Sequence, residues 1–380
     1  NKANDDNPDY NPIPDYYFYD LNTKVNFTLG ENDHLFLSGY FGRDVFGFEG
    51  DFFDFSFLWG NTTGTARWNH VFSPKLFSNT TFTFSDYNYN IETKVTSFSF
   101  KVGSDVQDAN LKTDFLYAFN NNHNLRFGGN VTHHNFGVAR LKAGSDDGKI
   151  SFSSGDDFTG LSLGAYFSDE MKLGEAWKIN AGLRLSGFAN DGKFYAGVEP
   201  RFASTWLLNP DLSVKASYAR MYQYLHLIAT SGISLPTDIW YPSTKQIKPQ
   251  FSDQVALGVE YIFADKYLIT NEYYVKRLRN QVDFVDGARL FANDSLEQEF
   301  AIGKGYGYGM ELSIEKQEGK LKGWIGYTLA LIKRGEFEPL DPTRHFSGGK
   351  DYFFPRYDRR QDIALVLMWA LAEMAVAHPV

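Results

Sequence analysis

Between Leu161 and Gly187 apolar and polar residues alternate twice. Leu161, Leu163, Ala165 and Phe167 interleave with Ser162, Gly164, Tyr166 and Ser168; after a polar turn, Trp177, Ile179, Ala181, Leu183 and Leu185 interleave with Lys178, Asn180, Gly182, Arg184 and Ser186. Successive side chains of a strand point to opposite faces, so each run predicts a strand with one apolar face. Each arm, about nine to eleven residues, has the length of a strand tilted across a hydrocarbon layer. The apolar face carries no charge. An Arg or Lys at the lipid midplane would cost about 2–4 kcal/mol, so Arg184 and Lys178 are expected to face inward, into a wet lumen surrounded by lipid.

The same design recurs along the chain. After a polar opening to about Asp15, alternation runs through Leu21–Leu29 and Leu35–Phe41, then TGTARWNHV and LFSNTTFTFSDYNYN, then ANLKTDFLYAF and LRFGGNVTHHNF. Tight turns rich in Asn, Asp, Gly and Pro fall at Gly30–Asp33, Ser73–Lys75, Asn120–Asn124, Asn209–Asp211, Ala264–Lys266 and Lys316–Lys320. The pattern predicts about fifteen strands. Connections on the other side read as long: residues 44–60, 91–108, 138–158, 223–250, 284–303 and 334–358, with Ala189–Lys193 a short exception. Outer-membrane barrels have short periplasmic turns and longer extracellular loops. A soluble propeller or sandwich has no reason to keep this asymmetry. The expected fold is therefore all-β, a transmembrane antiparallel up-and-down barrel.

Composition sharpens this. Aromatic residues make up 17% of the 380 residues, as aromatic girdles require. A net charge of −9 argues against nucleic acid, because phosphate binding needs a concentrated basic face. Zero cysteines exclude disulfides, thiolate metal sites and cysteine nucleophiles. There is no apolar run long enough for a transmembrane helix; Ile363–Ala377 is interrupted by Glu373. The start, NKANDDNPDYNPIPDY, is acidic and proline-marked, unlike a signal peptide.

Several small motifs have bland readings. Gly303–Gly309, GKGYGYG, precedes a strand rather than a helix, which removes a phosphate-binding mechanism. His133 and His134, neighbours on a strand, point to opposite faces and cannot close on one ion. Asp146, Asp147, Asp156 and Asp157 read as solvated turn carboxylates rather than a calcium loop. Two clusters are candidates for ligand binding. Tyr222, Tyr224, Trp240 and Tyr241 lie in or beside the connection at 223–250 and could stack on a sugar, an aromatic siderophore or a peptide, or serve as rim packing. Arg356, Arg359 and Arg360, with Asp358 and Asp362, could hold an anionic ligand or pair with carboxylates on neighbouring strands. No spacing of Ser, His and Asp suggests a catalytic set, and no metal or cofactor site is expected.

The segments Ser217–Tyr261, Gly305–Leu329 and Phe353–Leu367 resemble the barrel of TonB-dependent outer-membrane receptors, particularly those typical of Bacteroidetes, and a weaker resemblance extends from about Tyr17 to Leu367. The resemblance implies about 15 strands of a 22-stranded barrel whose lumen holds a plug. It also implies a scarce nutrient bound by extracellular loops and the plug apex, and import driven by TonB with ExbB and ExbD. Lipid and lipopolysaccharide of the outer membrane would surround the wall. Residues 1–369 are expected to be a partial barrel without its plug and TonB box, and 370–380, where alternation is lost after Trp369, an atypical tail left by truncation or a frame change. A passive pore and, further off, a barrel enzyme are the competing readings.

Overall fold

The computed structural model describes residues 14–50, 52–228, 239–290, 293 and 295–370. The tail expected at 370–380, apart from Ala370, lies outside the described residues, as do the first thirteen residues and the middle of the 223–250 connection. Seventeen strands follow in order: β1 (Asp15–Thr28), β2 (Asp33–Phe48), β3 (Phe53–Ser73), β4 (Leu76–Val95), β5 (Phe98–Asn120), β6 (His123–Ser145), β7 (Ser151–Leu173), β8 (Trp177–Asn190), β9 (Lys193–Asn209), β10 (Leu212–Gln223), β11 (Leu225–Ile228), β12 (Ile239–Pro242), β13 (Gln250–Phe263), β14 (Tyr267–Phe284), β15 (Phe300–Lys316), β16 (Leu321–Pro339) and β17 (Gln361–Trp369). Fifteen of them form one antiparallel sheet in sequence order, omitting only β11 and β12, which make a separate hairpin. The sheet is open, with β1 and β17 at its edges. Because fifteen is odd, these edge strands run the same way, so antiparallel closure needs an odd number of further strands.

Registration confirms the two faces. Phe167 is paired with Leu183 and Ala165 with Leu185, and Leu161, Leu163, Phe167, Leu183 and Leu185 all stand exposed on the outward face. Inward, Arg184 donates to Asn130 Oδ1 at 3.2 Å and lies 3.9 Å from Glu199, whose carboxylate is buried and also meets Arg201 at 3.3 Å. A charge removed from water is tolerable only when it is paired in this way. Lower on the outer face Trp177 sits opposite Trp206, both exposed, as girdle residues do.

The tight turns fall where the pattern places them, including the short β8–β9 link at Asp191–Gly192, where both residues take positive φ. The long connections differ. Those expected at 44–60, 91–108 and 138–158 are mostly strand: β3 has 21 residues, and β5, β6 and β7 have 23 each. A 23-residue strand runs about 75 Å, far beyond a bilayer. The arms stay paired because cross-strand aromatics continue the ladder past the lipid, as in Phe46 against Phe55 and Phe48 against Phe53. Alternation in these segments is irregular because neither face meets lipid. The connections between β10 and β13, β14 and β15, and β16 and β17 are the ones that leave the wall.

Candidate functional site

Where β10 ends, the chain folds back instead of projecting outward. The hairpin β11–β12 pairs His226 with Tyr241 and Ile228 with Ile239, burying all four, while Leu227 and Trp240 take the opposite face. The buried side packs with Phe136, Val138 and Phe158 of the β6–β7 wall, with Val282 and Phe300 of β14–β15, and with Leu296. One apolar cluster thus ties this inserted segment to strands on two sides of the wall.

The aromatic candidates divide. Tyr241, 2% exposed, is the centre of the cluster, 5.0 Å from the rings of both Phe158 and Phe300, and its hydroxyl donates to Glu297 Oε1 at 3.3 Å. Burial pushes its phenol well above the ordinary range. Tyr222 and Tyr224 belong to a run of rings, Phe251, Tyr222, Tyr224 and Phe188, with successive centroids 5.3, 6.3 and 5.5 Å apart. The Tyr224 hydroxyl meets Ser186 Oγ at 2.8 Å. Gly197 makes the run possible, since a Cβ there would sit 2.7 Å from the Tyr222 ring and 2.8 Å from the Tyr224 hydroxyl. Trp240 keeps a partly open face.

The arginines lie elsewhere. Arg360 stacks on Phe354 at 3.9 Å and donates to Asp358 within its own turn, at 3.2 Å; Asp358 in turn accepts the Ile332 N–H. Arg356 and Arg359 are exposed. Structure therefore separates the two candidate clusters, and Arg360 pairs locally instead of with a neighbouring strand. Asp147 is occupied by Ser145 and the Lys149 backbone, and Asp157 pairs with Arg140.

His226 has a feature that spacing could not reveal. Its Nε2 contacts Ser243 Oγ at 3.0 Å, its Nδ1 has no hydrogen-bond partner among the described residues, and burial lowers its pKa from 6.5 to about 4. The unfolded segment binds the proton more readily than the folded one, so stability conferred by the neutral ring is complete above about pH 6.5 and is lost as pH falls toward 4. The protection of amides in β11 and β12, taken after correction for the intrinsic pH dependence of exchange, is expected to fall over that window, and the His226→Gln variant to show a flat corrected profile; an equal fall in both would exclude this histidine as the cause.

Across the inner wall, Asp108, His134 and Ser162 converge from β5, β6 and β7. His134 Nδ1 is 2.7 Å from Asp108 Oδ1 and its Nε2 is 2.8 Å from Ser162 Oγ. The sequence gives no hint of the set, because the three residues are 26 and 28 positions apart and meet only through register. The connectivity is that of a hydrolytic triad, but the setting is not. Ser162 lies mid-strand, paired on both sides with Thr132 and Phe188, so the neighbouring amides are committed to the ladder rather than turned toward a developing oxyanion. Its role is to satisfy a buried imidazole. His133 faces outward and His134 inward, as alternation requires.

An antiparallel wall with an uncharged apolar exterior, an ion-paired interior and aromatic girdles defines an outer-membrane β-barrel. The model of the TonB dependent receptor-like β-barrel family matches residues 1–360, and the chain belongs to that family. No curated protein matches it. Among solved structures it is similar to the alcaligin outer-membrane receptor FauA of Bordetella pertussis (16% identity, TM-score 0.62, 94% of this chain and 58% of that one). It also resembles the siderophore receptor PiuA of Acinetobacter baumannii (13%, 0.65, 94% and 63%) and the ferripyoverdine receptor of Pseudomonas aeruginosa (13%, 0.64, 95% and 53%). The chain spans little more than half the length of these proteins. Its family places it in the outer membrane.

Proposed function

We propose that the chain is the barrel wall of a receptor that captures a scarce nutrient outside the cell and imports it with energy transmitted by TonB from ExbB and ExbD. The observation that carries this reading is the inserted segment between β10 and β13, packed by Tyr241 and Phe300 across the long-connection end of a polar, ion-paired lumen. A passive pore gains nothing from an anchored layer over its mouth. In the complete receptor a plug fills the lumen and bears the TonB contact, and the wall is closed by further strands. The names of three structural neighbours favour a ferric siderophore as the cargo over a glycan.

Ligand contacts fall to the open face of the hairpin, Trp240 above all, with Tyr222 and Tyr224 as its support and Arg356 and Arg359 as outlying cations. The test is uptake of radiolabelled ferric siderophores by cells carrying the complete gene in a receptor-deficient strain. Accumulation should depend on TonB, and Trp240→Ala should reduce it about tenfold, the loss of one aromatic anchor, without reducing the amount of folded receptor. Accumulation that is unaffected by loss of TonB would replace the receptor with a pore.

A further inference from the structure

Above the membrane the wall exchanges its faces. From Phe77 to Val95, β4 pairs with β3 and β5 without a register shift, so its even positions face outward throughout. On that side the exposed Phe82 and Phe84 are followed by Asp86, Asn88, Glu92 and Lys94. The odd positions change in the opposite sense: Thr81, Thr83 and Ser85 line the lumen, and above them come Tyr89, Ile91 and Val95. Register extends the reversal to both neighbours. Inward on β3 stand Trp59, Phe57, Phe55 and Phe53, and inward on β5 stand Val102, Phe100 and Phe98.

Lipid accounts for the outward apolar face lower down, but not for this inward one. From Phe84, the last lipid-facing ring of β4, the strand runs about 36 Å further to Val95. Tyr89 and Ile91, low on the inner face, are buried, whereas Phe53, Val95, Phe98 and Phe100 nearer the tips are 37–43% exposed. Phe53 stacks along Phe55 and Phe98 along Phe100, at 6.4 and 6.2 Å, so the rings present flat apolar surface. A contiguous patch of this kind marks a binding surface, because water is a poor cover for it.

Its chemistry selects the occupant. From Phe57 to Phe53, Ile91 to Val95 and Val102 to Phe98, no inward side chain is charged and Thr93 alone is polar. A glycan needs hydrogen-bonding side chains beside the rings, and an anionic group needs cations. This surface has neither and suits hydrocarbon. It is also continuous with the mouth: further down the same face of β5, Val106 packs against the cluster that holds Phe136 and Tyr241. The apolar strip therefore leads inward, along the route of a cargo, rather than outward toward a neighbouring protein.

We infer that the cargo is amphiphilic, and that its acyl chain lies along the inner aromatic face of the β3–β5 arms while its polar head reaches the β11–β12 hairpin. The inference rests on the receptor reading and narrows its substrate class, from a ferric siderophore in general to one that carries an acyl chain.

The test is equilibrium binding of two uncharged fluorescent probes, the octyl and ethyl amides of dansyl, to the complete receptor in lipid nanodiscs without TonB, with empty nanodiscs as the correction for partition into lipid. The octyl amide should bind saturably and about tenfold more tightly or better, since each buried methylene adds to the affinity. Phe98→Ser with Phe100→Ser should remove that preference, whereas Glu92→Gln, on the outward face of the same arm, should leave it intact. Heat-dependent gel mobility reports folding of each variant. Phe98→Leu with Phe100→Leu, which keeps the surface apolar, serves if the Ser pair does not fold and should retain the preference. Absence of saturable octyl binding, equal binding of the two probes, a preference that survives the Ser pair or one that is lost in the Leu pair overturns the proposal. So does accumulation of the acylated and deacylated forms of one ferric siderophore at equal rates. Because the probe measurement needs no TonB, uptake that fails to depend on TonB would overturn the receptor reading without touching the chain preference, and the two failures stay distinct.

Discussion

Tyr241→Ala is expected to loosen the whole inserted segment, at a cost of about 3–5 kcal/mol for deleting a fully buried aromatic ring. The ring packs against both Phe158 of the wall and Phe300 of the β14–β15 arm, so its loss opens a cavity where the cluster is joined. Hydrogen exchange of 224–249 in the purified complete receptor should accelerate by two orders of magnitude or more, since each 1.4 kcal/mol corresponds to about tenfold in an opening equilibrium. Exchange in β8 and β9 should hardly change, because their pairing is carried by their own ladder. Tyr241→Phe removes only the hydrogen bond to Glu297 and should cost about 1 kcal/mol. Equal, small effects of both substitutions would show that Tyr241 does not anchor the segment.

Leu183→Arg tests the position of the wall in the membrane. Leu183 is exposed opposite Phe167 on the apolar face, about 16 Å above the Trp177 girdle at a tilt of about 40°, which puts it near mid-bilayer. The substitution should destabilise the folded receptor by about 2–4 kcal/mol in urea titrations of protein reconstituted in lipid vesicles. Ser217→Arg adds the same charge to the inner face, where Ser217 is exposed to the lumen, and should stay within about 0.5 kcal/mol. A reversal of the two effects would mean that the faces have been assigned the wrong way round.

These expectations separate what is local from what is not. Alternation, turns and the uncharged face of 161–187 follow from the two-residue period of extended backbone and from the high cost of charge in lipid, and both act on contiguous residues. The strand count of the main sheet, the direction of Arg184 and the opposed His133 and His134 could therefore be read directly. The long connections were read less well. Paired arms outside the bilayer have no lipid-facing side, so nothing forces one face to be apolar, and strands such as β5 continue where the pattern breaks.

Tyr241 shows where a local reading stops. In sequence it is one of four aromatic residues in a connection, equally suited to a ligand or to packing. Its burial depends on Phe158 and Phe300, 83 positions before and 59 positions after it, and on the way the hairpin folds back between them. The meeting of Ser162 with His134 depends likewise on register between strands, which is set by pairing and bulges rather than by any one strand.

The sequence by itself determined a membrane barrel wall: which residues face lipid, which face water, where the chain turns and to which family it belongs. Only the tertiary structure decided which aromatics pack and which stay open, and that Asp108, His134 and Ser162 meet on the inner wall. The physical reason is that facing is fixed by the backbone period within a strand, whereas neighbourhood across strands is fixed by long-range pairing that no short stretch encodes.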